Sequence, residues 1–163
     1  MFPDIKKILY ATDLTDNMRP VFRFALSLAD RYQAKISMLH VAEPLSPQVR
    51  WALETYMPED EAHKLEREGL QKVRDKMRAR LDEFCQQELG KDSEESHLIS
   101  EISVISGRPA EVITKKSEEW DADLIVVGTH TDTSLGARLL GSTARKVTQL
   151  SKRPVLVVPV QPE

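Results

Sequence analysis

The sequence predicts an α/β fold: one doubly wound, five-stranded parallel sheet in the order 3-2-1-4-5, with helices on both faces. Two observations lead there. Short apolar runs of strand length alternate with longer segments whose apolar residues recur at helical spacing, and short apolar strands of this kind suit a parallel sheet covered on both sides. The stretch Asp123 to Thr143, DLIVVGTHTDTSLGARLLGST, reads as a buried strand ending on Gly128 and a polar loop, then Gly141 and two hydroxyl residues where a helix begins. Glycines let backbone approach an oxyanion, and the first free N–H groups of a helix point at it with the positive end of the dipole behind them.

At 163 residues, with 40% hydrophobic residues, the chain is expected to form a single domain over 1–163 with a sizeable core. Its net charge of −3 is spread over dispersed basic and acidic residues, which argues against a nucleic-acid or anionic-membrane partner. No apolar run is long enough to span a bilayer, and the N-terminus lacks the basic-then-apolar layout of a secretory signal. The lone Cys85 cannot form an internal disulfide and suits a reducing compartment. A cytoplasmic location is the expectation.

Ile5 to Ala11 is the first apolar run, and the capping cluster Thr12 to Asn17 turns it into a helix. That helix keeps Met18, Val21, Phe22, Ala25, Leu28, Ala29 and Tyr32 on one face, with Pro20 in its first turn, where a missing N–H is tolerated. Ala34 to Val41 is the second strand. Residues 43–60, with Pro44, Pro47, Pro58, Trp51 and Tyr56, read as an irregular excursion containing a turn of helix at Val49 to Glu54. It is either a lid or dimer-contact loop, or a surface insertion whose aromatics pack back on the body. From Glu59 to Leu89 a charged segment with one narrow apolar stripe reads as a long, solvent-facing helix, its acidic start matched to the dipole. Lys91 to Ser96 is a polar loop, and His97 to Ser106 is an edge strand. Gly107 and Arg108 turn into a helix that has Pro109 near its first position. Leu124 to Val127 is the fourth strand, Ser142 to Ser151 a helix, and Val155 to Val158 the last strand.

In such a sheet ligands bind beyond the carboxyl ends of the strands where the order reverses, which brings Ala11-Thr12-Asp13 beside Gly128. The spacing Gly128-x2-Thr131-x9-Gly141-Ser142 is neither the dinucleotide fingerprint nor the P-loop. Gly128 and Gly141 serve either backbone geometry alone or phosphate approach, and Ser142 and Thr143 following at once favour phosphate. Asp13 is either a ligand contact or a cap for the helix after it. His130 adjoins the loop as an acid or base, or is simply exposed; no nucleophile signature accompanies it. His40, His63 and His97 have no metal-site spacing. Arg108 either reaches a phosphate or ribose or is a surface cation.

The segments KKILYATDLT, AKISMLHV, GRPAEVI, DADLIVVGTH, LLGST and RPVLVVP occur in order across nearly the whole chain, and together they resemble the universal stress protein family. The resemblance implies a cytoplasmic homodimer joined through the last strand, here Val155 to Val160. It also implies ATP or AMP held by a Gly-x2-Gly-x9-Gly-Ser/Thr motif. Carried over by position, the motif's first and third glycines are Gly128 and Gly141 and its hydroxyl residue is Ser142, with Thr143 extending the helix start. Thr12 and Asp13 close the first strand at the adenine, Val41 lies against the base, and Thr129 and His130 continue the loop. The motif's second glycine is replaced by Thr131, whose side chain crowds the phosphates or donates its hydroxyl to one, and Asp132 adds negative charge beside it.

A phosphorylation receiver needs an Asp ending the third strand, where this chain has Ile105-Ser106-Gly107, and a flavodoxin-like carrier needs a phosphate-cradling glycine loop after the first strand, where this chain has TDLTDN. Both are rejected. The expectation is a universal stress protein that binds an adenine nucleotide as a regulatory ligand. Mg²⁺ would arrive with the nucleotide, and slow ATP hydrolysis is the most activity expected, since no general base is recognisable. The alternative is a dimeric interaction module whose site has degraded at Thr131.

Overall fold

The computed structural model describes residues 1–90, 94–129 and 140–160. Strand β1 (Lys7–Ala11) leads through a 3-10 turn (Asp16–Met18) into helix α1 (Arg19–Tyr32), and β2 (Lys35–Ala42) follows. Helices α2 (Pro47–Tyr56) and α3 (Glu59–Leu89) come next, then a second 3-10 turn (Glu94–Leu98), β3 (Ile99–Ser106) and α4 (Pro109–Glu119). Strand β4 (Leu124–Gly128), helix α5 (Ser142–Leu150) and β5 (Val155–Val158) complete the described chain. All strand pairs are parallel and the order is β3-β2-β1-β4-β5, as the sequence predicts.

The period-two alternation of strand side chains divides the core between the two faces. Ile8 and Tyr10 of β1, with Ile36 and Met38 of β2, pack against Val21, Phe22 and Ala25 of α1 and Leu81 of α3. Leu9, Leu39, Ile125 and Val127 point the other way, onto Ala110 and Ile113 of α4 and Ala144 and Val147 of α5. Helix α1 ends where Gln33 takes a left-handed conformation, φ 53°, and its N–H donates to the Ala29 and Asp30 carbonyls. The strand that follows can then turn back beside β1, with Lys7 opposite Lys35.

The excursion between β2 and α3 differs from the expectation. Ten residues of it form α2, because Ser46 caps the helix by accepting the Val49 N–H and Pro47 occupies its first turn. Its aromatics do not pack back on the body: Trp51 is 68% and Tyr56 85% exposed. An ion pair from Arg50 to Glu66 at 2.9 Å ties α2 to α3. Helix α3 has 31 residues, so at the usual rise it is about 46 Å long, well beyond an eight-residue strand of about 26 Å. Its C-terminal half packs on the sheet through Leu81, Phe84 and Leu89, while Val73 and Met77 reach the carboxyl ends of the strands.

One buried carboxylate fastens α3 to α1. The Glu88 side chain is 5% exposed and accepts hydrogen bonds from Arg19 at 2.6 Å and Arg23 at 2.8 Å. Burial opposes its ionisation, but the two guanidinium bonds outweigh that and hold its carboxyl below the usual carboxylate range. Arg19 also lies over the Phe84 ring at 5.3 Å. Nearby, burial and Asp82 push the Cys85 thiol up to about 11, and its S–H contacts Met38 Sδ at 3.2 Å, so this cysteine is an inert packing residue.

Because the folded pKa of Glu88 is depressed, its contribution is full above the unfolded value of about 4.3 and is lost as pH falls through the folded value. Glu88→Gln is therefore expected to lower the melting temperature at neutral pH, with the gap to wild type closing in melting curves taken below about pH 4.

Candidate functional site

A cavity of about 560 Å³ opens beyond the carboxyl ends of β1, β2 and β4, where neighbouring crossovers leave the sheet on opposite faces. Its apolar walls come from Val41, from Val73 and Met77 of α3, and from Pro109 and Ile113 of α4. Gly128, Thr129 and the start of α5 close the β4 side. A smaller hollow of about 160 Å³ lies between α3 and the turn after β1. Its Arg19 is committed to Glu88, and its Arg80 reaches the Leu14 carbonyl.

The turn after β1 is fixed by its own side chains. The Thr12 N–H donates to the Leu39 carbonyl at 3.0 Å, and the Thr12 hydroxyl oxygen accepts the Leu14 N–H at 3.1 Å. Asp13 Oδ1 accepts both the backbone N–H and the hydroxyl of Thr15, at 2.9 and 2.8 Å. Both readings of Asp13 thus have a basis: one oxygen builds the turn, and the residue lines the cavity, with no partner for Oδ2 among the described residues. Leu14 sits at φ 67°, a left-handed conformation that a branched side chain rarely adopts, so these bonds hold the turn against strain.

Helix α5 begins at Gly141, φ 50°, with no side-chain cap. The N–H groups of Ser142, Thr143 and Ala144 precede the first intrahelical bond, Arg145 N–H to the Gly141 carbonyl, and have no acceptor among the described residues. All three residues line the cavity. These are strong donors at the positive end of a helix dipole, suited to an oxyanion.

Gly128 lines the same corner, and the structure supplies a second reason for it. A Cβ there would lie 2.8 Å from Met18 Sδ, 2.9 Å from Val160 Cγ2 and 3.1 Å from Val21 Cγ2. The core beneath therefore excludes a side chain whether or not a ligand lies above. Thr129 lines the cavity while its hydroxyl oxygen accepts the Val160 N–H at 2.8 Å, which ties the chain after β5 to the end of β4.

The structure thus brings Thr12, Asp13, Val41, Gly128, Thr129, Gly141, Ser142 and Thr143 to one cavity; His130 and Thr131 lie outside the described residues. Arg108 is exposed and pairs with Glu111 at 3.4 Å, which is the surface-cation reading. Sequence reasoning considered His40 only as a metal ligand. It lines the cavity, and its Nδ1–H donates to the Thr12 carbonyl at 2.8 Å. Its place next to Val41 at the end of a strand was the available signal. Among the described residues no group of three His, Cys, Asp or Glu side chains is arranged to hold a metal ion. None of their helices is long and apolar enough to cross a membrane.

Fold and site together define a Rossmann-like α/β protein with a ligand crevice at its topological switch point. The family model of the universal stress proteins matches residues 4–159, and the chain belongs to that family. It is 31% identical over 157 residues to universal stress protein YxiE of Bacillus subtilis, covering 93% of this chain and 97% of the relative. It is 26% identical over 156 residues to universal stress protein MJ0577 of Methanocaldococcus jannaschii, covering 94% of each. The solved structure of MJ0577 superposes with a TM-score of 0.74 at 23% identity over 99% of this chain and all of that one. A universal stress protein crystallised in complex with cAMP has a TM-score of 0.55 at 24% identity, over 98% of this chain and 100% of that one.

Gly128→Ala is expected to destabilise the fold by about 1–3 kcal/mol through overpacking against Met18 and Val160. Denaturant unfolding without any nucleotide checks this: an unchanged midpoint would show that the glycine is not required by packing.

Proposed function

We propose that this chain binds an adenine nucleotide, ATP or AMP, as a regulatory ligand in a stress response. The observation that carries the reading is the uncapped start of α5 facing a cavity whose opposite walls are apolar. Phosphate oxygens would accept from the N–H groups of Ser142 to Ala144, with the Ser142 and Thr143 hydroxyls beside them and Gly128, Thr129, His130 and Thr131 completing the loop. The base would lie toward Val41, Thr12 and Asp13. A universal stress protein bound to cAMP supports an adenine ligand for this fold.

Asp13 and Glu43 are the only carboxylates among the described lining residues, and no Lys or Arg joins them there. Phosphate charge would then be met by backbone dipoles and by Mg²⁺ carried on the phosphates themselves, with water filling the rest of its shell. The ligand acts by occupancy rather than turnover in this reading.

The chain is further proposed to act as a cytoplasmic homodimer joined through Val155 to Val160. β5 is an edge of the sheet, and Val155, Leu156 and Val157 are only half-buried in one protomer. The alternative, an interaction module that has lost its nucleotide, rests on Thr131 in the place of the second motif glycine.

Gly141→Val is the test. Its side chain would be forced onto a left-handed residue at the helix start, where it blocks backbone approach. Calorimetric titration with ATP and Mg²⁺ is expected to show binding by wild type and none by Gly141→Val. No heat from wild type at millimolar ATP would leave the interaction module.

A further inference from the structure

We propose that His40 reads the base: its Nε2, held unprotonated because Nδ1–H donates to the Thr12 carbonyl, accepts an N–H from the exocyclic 6-amino group of a bound adenine. The inference rests on the nucleotide reading above and assigns the side chain that makes it selective for a 6-aminopurine. A carbonyl oxygen can only accept, so the 2.8 Å contact with Thr12 requires the proton on Nδ1. In a neutral imidazole that leaves Nε2 an acceptor. Nε2 has no hydrogen-bond partner among the described residues, and it is not among the buried atoms left unpaired, so it stays open to the cavity that His40 lines.

The sheet places this acceptor at the base end. Phosphate donors lie at β4 and α5, while His40 is on β2, two strands away in the order β2-β1-β4. Two strand spacings are about 10 Å, the scale on which a nucleotide separates its phosphates from the far edge of its base. Around His40 the walls are Val41, Val73, Met77 and Ile113, an apolar slot for a flat ring. In such a slot an acceptor facing a 6-oxo group would leave two lone pairs opposed, whereas a 6-amino group satisfies both partners.

The same side chain anchors the Thr12 turn, so the test must separate contact from anchoring. His40→Asn does so, since the Asn amide N–H can occupy the Nδ1 position while nothing replaces Nε2. ATP and purine riboside 5′-triphosphate, which lacks only the 6-amino group, are titrated with Mg²⁺ into both proteins at about pH 8, above the ordinary imidazole range. Wild type is expected to bind ATP about ten-fold more tightly than the analogue, and His40→Asn to bring the two within about two-fold. An equal ratio in the two proteins, or no preference in wild type, overturns the proposal. Should wild type bind neither, the nucleotide reading fails and this one with it. A second measurement needs no variant: the ¹⁵N resonance of His40 Nε2 is expected to move on ATP and not on the analogue, and a resonance unmoved by bound ATP also overturns the contact.

Discussion

The reversal of strand order between β1 and β4 is the constraint from which the rest of this molecule follows. The chain leaves β1 toward one face and β4 toward the other, so neither crossover can cover the space between their carboxyl ends. A crevice is left there by topology alone. What the sequence then decides is how that crevice is lined. Thr12 and Asp13 finish one strand with a self-bonded turn, Gly128 finishes the other with no side chain, and Gly141 starts a helix without capping it. An uncapped helix end is ordinarily a cost to stability, and here its free N–H groups are turned to a cavity where a ligand can take them.

Charge is distributed with the same economy. The strong ion pairs lie away from the crevice, above all at Glu88, where two arginines of α1 meet one buried carboxylate of α3. That pair sets the position of α3, and α3 in turn carries Val73 and Met77 to the cavity wall. Around the crevice itself, dipoles and neutral donors dominate. Binding by backbone donors tolerates changes in neighbouring side chains, since the donors come from the main chain.

Much of this was legible in the sequence, and the exceptions have physical reasons. Buried strands such as Leu124 to Val127 announce themselves because both faces are covered and nearly every residue is apolar. Prolines at first-turn positions, Pro20 and Pro109, marked helix starts correctly. The same rule applied to Ser46-Pro47 would have found α2, but three prolines close together read as a break in structure. The site residues that follow the chain's turns were found, because glycines and capping residues leave local marks. His40 was not, since its role depends on the Thr12 carbonyl of a neighbouring strand. The packing reason for Gly128 was equally invisible, because Met18, Val21 and Val160 come together beneath it only in the folded chain.

The central claim is that the free donors at the start of α5 are there for phosphate. Backbone amide resonances of ¹⁵N-labelled protein, followed while ATP and Mg²⁺ are added, test it most directly. The account predicts that the amides of Ser142, Thr143 and Ala144 move together with those of Val41 and Asp13, while the Glu88 region stays still. Saturable shifts confined to other surfaces, or none at millimolar nucleotide, would contradict it.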